Sequence, residues 1–212
     1  VAVQAEAAQR CQARLRRFGR PLQSRRMPAH SPRIPCLAFV APSGTGKTTL
    51  LSEVVRALVG RGLRLCVLKS THHDVQLDTP GKDTFRFAQA GASVVGLMGP
   101  GVATFFLAPG GQPPERAGKL SAMDMAGWLS SCPHFPLDLV LCEGFNAEPD
   151  LPKLLVVRGK AKPSDRAPPG QDLVAVASAD LRAGLPASVP LLALDGAAVA
   201  SWVVDEFLPR YG

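Results

Sequence analysis

The residues with the clearest chemical meaning lie together at 41–49, where the chain reads APSGTGKTT. This is the phosphate-binding pattern of a glycine-rich loop ending in Gly-Lys-Thr, with Ala41 standing where the first glycine usually falls. Gly44 and Gly46 let the backbone curl close to a phosphate with no side chain in the way. A helix opening directly after the loop aims free N–H groups and the positive end of its dipole at the same anion. Lys47 then reaches the β- and γ-phosphates as a point charge, Thr48 offers a hydroxyl to Mg²⁺, and Ser43, Thr45 and Thr49 complete the cradle. An ordinary glycine turn between strand and helix is the plainer reading, and the agreement of motif with context argues against it.

The second magnesium-side group in such sites sits at the end of a neighbouring apolar strand, and LDLVLCEGF at 137–145 supplies Glu143 there. Glu143 either orients Mg²⁺ through water or polarises an attacking water; a solvated strand-end acid is the duller alternative. Asp138, at the other end of that strand, is expected to face away from the phosphates. His72 and His73 are adjacent, so an extended backbone points them to opposite faces and a shared metal is not expected. With Lys69 and Asp74 they either contact an anionic ligand or stabilise their loop. Lys82, Asp83 and Arg86 form a similar polar cluster, in which Asp83 also suits a helix N-cap.

These residues need a scaffold, and the pattern from Cys36 onward provides one. Short apolar runs alternate with helical stretches, the signature of an α/β fold of the P-loop NTPase type: a mostly parallel sheet flanked by helices. CLAFV at 36–40 is the first strand, and Leu50, Leu51, Val54, Val55 and Leu58 fall at helical spacing after the loop. LRLCVLK at 63–69, LDLVLCEGF, KLLVVR at 153–158, DLVAVASAD at 172–180 and VPLLALD at 189–195 are further strands. Short helices are expected near 84–90 and 120–131, and a closing helix over 196–208. SVVGLM and VATFFLA, joined by Gly99-Pro100-Gly101, predict a β-hairpin element. The polar segment 70–83 is too long for a simple turn, which marks it as functional.

Composition narrows the partners. At 212 residues, 46% apolar and 19% charged, the chain holds one packed domain plus an appendage. The net charge of +7 is that of residues 1–36 alone, where eight arginines face one acid, Glu6, while the remainder balances 16 basic against 16 acidic residues. Residues 1–35 are therefore read as a basic, solvated and partly helical arm and 36–212 as the folded domain. A transit peptide is the alternative for the arm, interrupted by Pro21, Pro28, Pro32 and Pro35; so is a chain that forms one part of a longer polypeptide. A neutral body argues against a nucleic-acid-reading surface on the domain. No run approaches the roughly 20 apolar residues that span a bilayer, so no membrane partner and a cytoplasmic location are expected. The five cysteines form no CxxC pair and are read as reduced, mostly buried thiols.

Three segments together carry a resemblance: SGTGKTTL, LKSTHHDVQLDTPGKDTFRFAQAGA at 68–92, and LVLCEGFNAEPDLPKLLVVR at 139–158. They resemble the molybdopterin-guanine dinucleotide biosynthesis adaptor family, MobB, over about two-thirds of the chain. The glycine loop is shared by very many NTPases, whereas THHD, PGKDT, QAGA and a strand ending in EGF make a far more specific set. The resemblance implies a homodimeric, GTPase-like protein with slow GTP hydrolysis. It also implies an adaptor that assists molybdopterin guanylyltransferase and other molybdenum cofactor assembly proteins by supplying GTP or handing on the cofactor. Carried over, residues 43–48 bind GTP phosphates, Thr48 and Glu143 lie near Mg²⁺, and His72 and Asp83 face the nucleotide or the pterin. The arm before Cys36 exceeds the family pattern, and no NKxD-like guanine-reading motif is present; Asp180, ending VASAD, stands in the place suited to that role.

Two other readings compete. A small-molecule kinase using ATP would need a cationic lid, and 159–172 contains Lys160, Lys162 and Arg166. Alternatively, the basic arm docks nucleic acid or a partner protein, with strongly salt-dependent binding.

Overall fold

The structure, a computed structural model, describes residues 34–42, 44–71, 83–92, 94–107, 121–132, 136–158, 172–179 and 189–212. In chain order the elements are β1 (Cys36–Val40), α1 (Lys47–Val59), β2 (Leu65–Lys69), α2 (Asp83–Gln89), β3 (Val94–Gly99), β4 (Val102–Leu107) and α3 (Ala122–Ser130). There follow β5 (Leu139–Glu143), β6 (Lys153–Val157), β7 (Leu173–Ser178), β8 (Leu191–Ala193) and α4 (Gly196–Trp202), a π-helical turn at Val203–Phe207, and α5 (Leu208–Tyr211).

Six strands form one parallel sheet in the order β2-β5-β1-β6-β7-β8. The order follows from burial. β1 and β6 are buried at every position, which requires cover on both faces and a place in the middle of the sheet. Leu37 and Phe39 face Leu50, Leu51, Val54 and Leu58 of α1 with Val199 and Ala200 of α4. Cys36, Ala38 and Val40 alternate onto the other face, against Ala122 and Ala126 of α3. Where α1 and α4 meet, Gly196 admits the close approach, because a β-carbon there would stand 2.3 Å from Cβ of Glu53.

β3 and β4 form a separate antiparallel pair closing at Gly99 and Val102, the hairpin expected from Gly-Pro-Gly. The closing helix departs from expectation. It runs to Tyr211 rather than stopping at Leu208, and it passes through a π-turn in which the Leu208 N–H bonds to the Val203 carbonyl. Pro209 in the following turn has no N–H to return to an ordinary helical ladder, and the wider turn before it accommodates the ring. The arm at 1–33, apart from its end at Ile34 and Pro35, and the lysine-bearing segment 159–171 lie outside the described residues.

Candidate functional site

The glycine loop leaves the C-terminal end of β1, the edge where open parallel sheets gather ligands. Gly44 and Gly46 have φ of 78° and 84°, left-handed values that a side chain disfavours. Thr45 donates its hydroxyl to the Pro42 carbonyl at 2.9 Å, and Lys47 Nζ donates to the carbonyls of Ala41 at 2.8 Å and Pro42 at 3.0 Å. The lysine thus lies back along the loop it serves. Burial lowers its pKa from the ordinary lysine value, the nearby Glu143 carboxylate opposes that, and Lys69 adds to it.

The β5 side of the loop is anionic. Parallel register sets Phe39, Glu143 and Lys69 in one row across β1, β5 and β2. Thr48 donates its hydroxyl to Glu143 Oε1 at 2.7 Å, and Lys69 Nζ lies 3.5 Å from the same oxygen. The backbone around Glu143 is fixed: Ser70 N–H donates to its carbonyl, and Gly144 N–H donates to that of Phe39. The chain then turns sharply through Gly144 and Phe145, both at positive φ. Glu148 in this turn accepts from the N–H groups of Ala122 and Met123, so it caps α3 beside the Ser121–Asp124 capping box. Lys153, wholly buried, donates to the carbonyls of Glu148 at 2.6 Å and Leu151 at 3.0 Å and closes the turn from the other end.

The β6 side carries a cation that the sequence reading passed over. Arg158 follows directly on β6, and its Nε donates to the Thr45 carbonyl at 3.3 Å. Its signal in the sequence is a charge directly after the apolar run Leu154–Val157, legible only once β6 is known to neighbour β1.

The other expected residues are placed as follows. Thr49 is exposed in the first turn of α1. Asp83 is the first residue of α2 rather than its cap, and among the described residues it makes no hydrogen bond or ion pair with the loop. Ser43, His72, His73, Asp74, Lys82 and Asp180 lie outside the described residues. Asp138 is at the far end of β5, paired with Arg64 at 2.7 Å, as its position predicts. Cys36 and Cys142 are buried and Cys66 half-buried; burial pushes the Cys36 thiol up to about 12 and raises the other two.

A hydroxyl and a carboxylate side by side suit a hard cation. Mg²⁺ takes one or two protein oxygens and completes its shell with water and phosphate oxygens, so Thr48 and Glu143 are a sufficient protein share. Among the described residues no three His, Cys, Asp or Glu side chains gather as a metal cage would need.

The family model described as molybdopterin guanine dinucleotide synthesis protein B matches residues 36–179. The chain belongs to this family. The match begins with β1 and ends just past β7, so it takes in the loop, Glu143 and Arg158. The molybdopterin-guanine dinucleotide biosynthesis adapter protein of Escherichia coli (strain K12) is 37% identical over 128 residues, 60% of this chain and 68% of that protein. The adapter of Haemophilus influenzae is 36% identical over 125 residues, 59% of this chain and 64% of that protein. Among solved structures, Bacillus subtilis MobB superposes with a TM-score of 0.56 at 24% identity, covering 84% of this chain and 98% of that one. This last likeness speaks for the fold.

Proposed function

We propose that this chain is an adapter in molybdopterin-guanine dinucleotide biosynthesis that binds GTP with Mg²⁺ at the 41–49 loop and hydrolyses it slowly. The observation that carries the nucleotide reading is the 2.7 Å hydrogen bond from Thr48 to Glu143, which joins the helix after the loop to the end of the strand beside it. The loop N–H groups take the α- and β-phosphates, and Lys47, released from the Ala41 and Pro42 carbonyls, reaches the β- and γ-phosphates. Mg²⁺, held through Thr48 and Glu143, neutralises charge on the phosphate oxygens when bound. Glu143, held in place by Thr48 and Lys69, orients a water toward the γ-phosphate. Asp180, two residues beyond β7 in the sequence, is the candidate for reading the guanine.

The family resemblance supports partners in that biosynthesis, which we infer to be molybdopterin guanylyltransferase and the other proteins of cofactor assembly, in the cytoplasm. No described helix is long and apolar enough to cross a membrane. A homodimer is supported by the hairpin, where Val94, Met98 and Phe105 expose one apolar face across paired strands.

Calorimetric titration with GTP and ATP in Mg²⁺, repeated with Lys47→Ala, tests the reading. Saturable binding that prefers GTP and disappears in the variant supports it. Unchanged GTP affinity in Lys47→Ala removes the site assignment, and preference for ATP with transfer to a small acceptor makes the chain a kinase.

A further inference from the structure

Arg158 is the first residue after β6, the strand that borders β1 on the side opposite Glu143. Its side chain turns back over the loop. Nε donates to the Thr45 carbonyl, and Nη2 lies 3.0 Å from where a β-carbon on Gly46 would stand, so the guanidinium rests against the glycine itself. Gly46 lacks a side chain on account of its φ of 84°, and the open space this leaves is where the arginine end lies.

Two features mark this cation as more than a surface charge. First, its bonding among the described residues is incomplete. A guanidinium has five N–H donors in a fixed fork, and among the described residues Arg158 makes a single hydrogen bond, of 3.3 Å. Second, it has no carboxylate partner among the described residues, whereas Lys69 across the loop is matched by Glu143. A cation unmatched among the described residues thus lies against the backbone of a loop whose sequence pattern suits an anion.

We propose that Arg158 is a second phosphate-binding cation of this site, keeping the Thr45 carbonyl on one N–H while its remaining donors reach the α- and β-phosphates of a bound nucleotide. The proposal rests on the nucleotide reading above and adds a direction to it. Backbone N–H groups of such a loop serve the α- and β-phosphates, and Arg158 lies on that backbone. The metal and γ-phosphate side is the Thr48–Glu143 side, one strand away in the other direction. Arg158 therefore serves nucleoside diphosphates and triphosphates alike, independently of Mg²⁺. A lysine cannot fill both roles fully, because it concentrates its donors at one point instead of a planar fork.

The test is calorimetric titration of wild type, Arg158→Gln and Arg158→Lys with GDP and with GTP, each in Mg²⁺ and in EDTA, beside ligand-free melting curves. The expected result is that Arg158→Gln weakens GDP and GTP by the same factor, about tenfold or more. That factor is the same in Mg²⁺ and EDTA, Arg158→Lys falls between, and the ligand-free melting temperature does not move. Wild-type affinity in Arg158→Gln overturns the proposal. So does a loss confined to GTP, which would put the arginine on the γ-phosphate. A fall in ligand-free melting temperature that Arg158→Lys repeats makes the arginine a structural tether and also overturns it. If folded wild type binds neither GDP nor GTP, the nucleotide reading itself fails and the proposal with it.

Discussion

Thr48 and Glu143 are 95 residues apart in sequence and share a 2.7 Å hydrogen bond, hydroxyl to carboxylate. The bond exists because β5 neighbours β1 in parallel register, with Phe39 opposite Glu143, so the helix that follows β1 starts beside the end of β5. Replacing Glu143 by Gln keeps an acceptor for Thr48 and removes the negative charge. We expect GTP affinity to change by less than about threefold while single-turnover hydrolysis falls by about a hundredfold, the scale at which a positioned acid–base group contributes. Equal losses of both would give Glu143 a structural role.

Gly196→Ala tests how the loop's helix is seated. The added β-carbon would meet Cβ of Glu53 at 2.3 Å and its carbonyl carbon at 3.0 Å, and a backbone atom cannot turn aside as a flexible chain end can. Separating α1 from α4 then disturbs Val54, Leu58, Val199 and Ala200 on one face of the sheet. The expected loss is about 1–3 kcal/mol, the usual range for overpacking, read as a lower urea midpoint with unchanged slope. An unchanged midpoint would show that the helices part freely.

Much of this was legible in the chain itself, and for identifiable reasons. The loop, β1 and β5 announce themselves because a buried parallel strand reads as a continuous apolar run and because the glycines and lysine occupy a fixed pattern. Glu143 was legible for the same reason, as the first charge after such a run. The apolar run overstates the strand: β2 begins at Leu65, not Leu63, because the Arg64 N–H donates to the Asp138 side chain and not to a strand carbonyl, though its own carbonyl still accepts from the Asp138 N–H. Arg158 was not legible, because its meaning depends on strand order, and no local pattern says that β6 lies beside β1. Lys153 was read simply as the start of a strand; its burial follows from a turn whose carbonyls needed a donor, a tertiary fact.

The Arg64–Asp138 pair carries a pH signature. Hydrogen bonds from Arg64 hold the Asp138 carboxyl down from 3.8 to about 2. A carboxylate whose folded pKa is depressed adds stability above its unfolded value and loses it as pH falls through the folded one. The contribution is therefore complete above about pH 5 and gone near pH 1, below both values. Both side chains are solvent-accessible, 54% and 34%, so screening keeps the pair's contribution small. Asp138→Asn should match this loss at neutral pH in urea titrations and converge with wild type near pH 1. A constant offset at all pH values would assign the effect to packing instead of charge.

The hairpin offers the sharpest test of the proposed homodimer. In antiparallel register Val94, Gly96 and Met98 stand opposite Leu107, Phe105 and Ala103, so one face of the pair presents Val94, Met98 and Phe105 together. Met98 is 77% exposed and Phe105 49%, and the adjoining Phe87 of α2 is 58% exposed. Beside them Phe87, Ala90, Ala92, Val94, Val95 and Gly96 line an open groove of about 430 Å³. A two-stranded sheet with an apolar face is marginal alone in water and gains from a second surface laid against it. A second copy of the chain supplies the same face, as a two-fold interface requires. Met98→Glu places a charge at the centre of that contact and is expected to convert a micromolar dimer to monomer in sedimentation equilibrium while GTP affinity is retained. A dimer that survives Met98→Glu and Phe105→Glu places the interface elsewhere, and a wild-type chain that is monomeric at the same concentration ends the proposal.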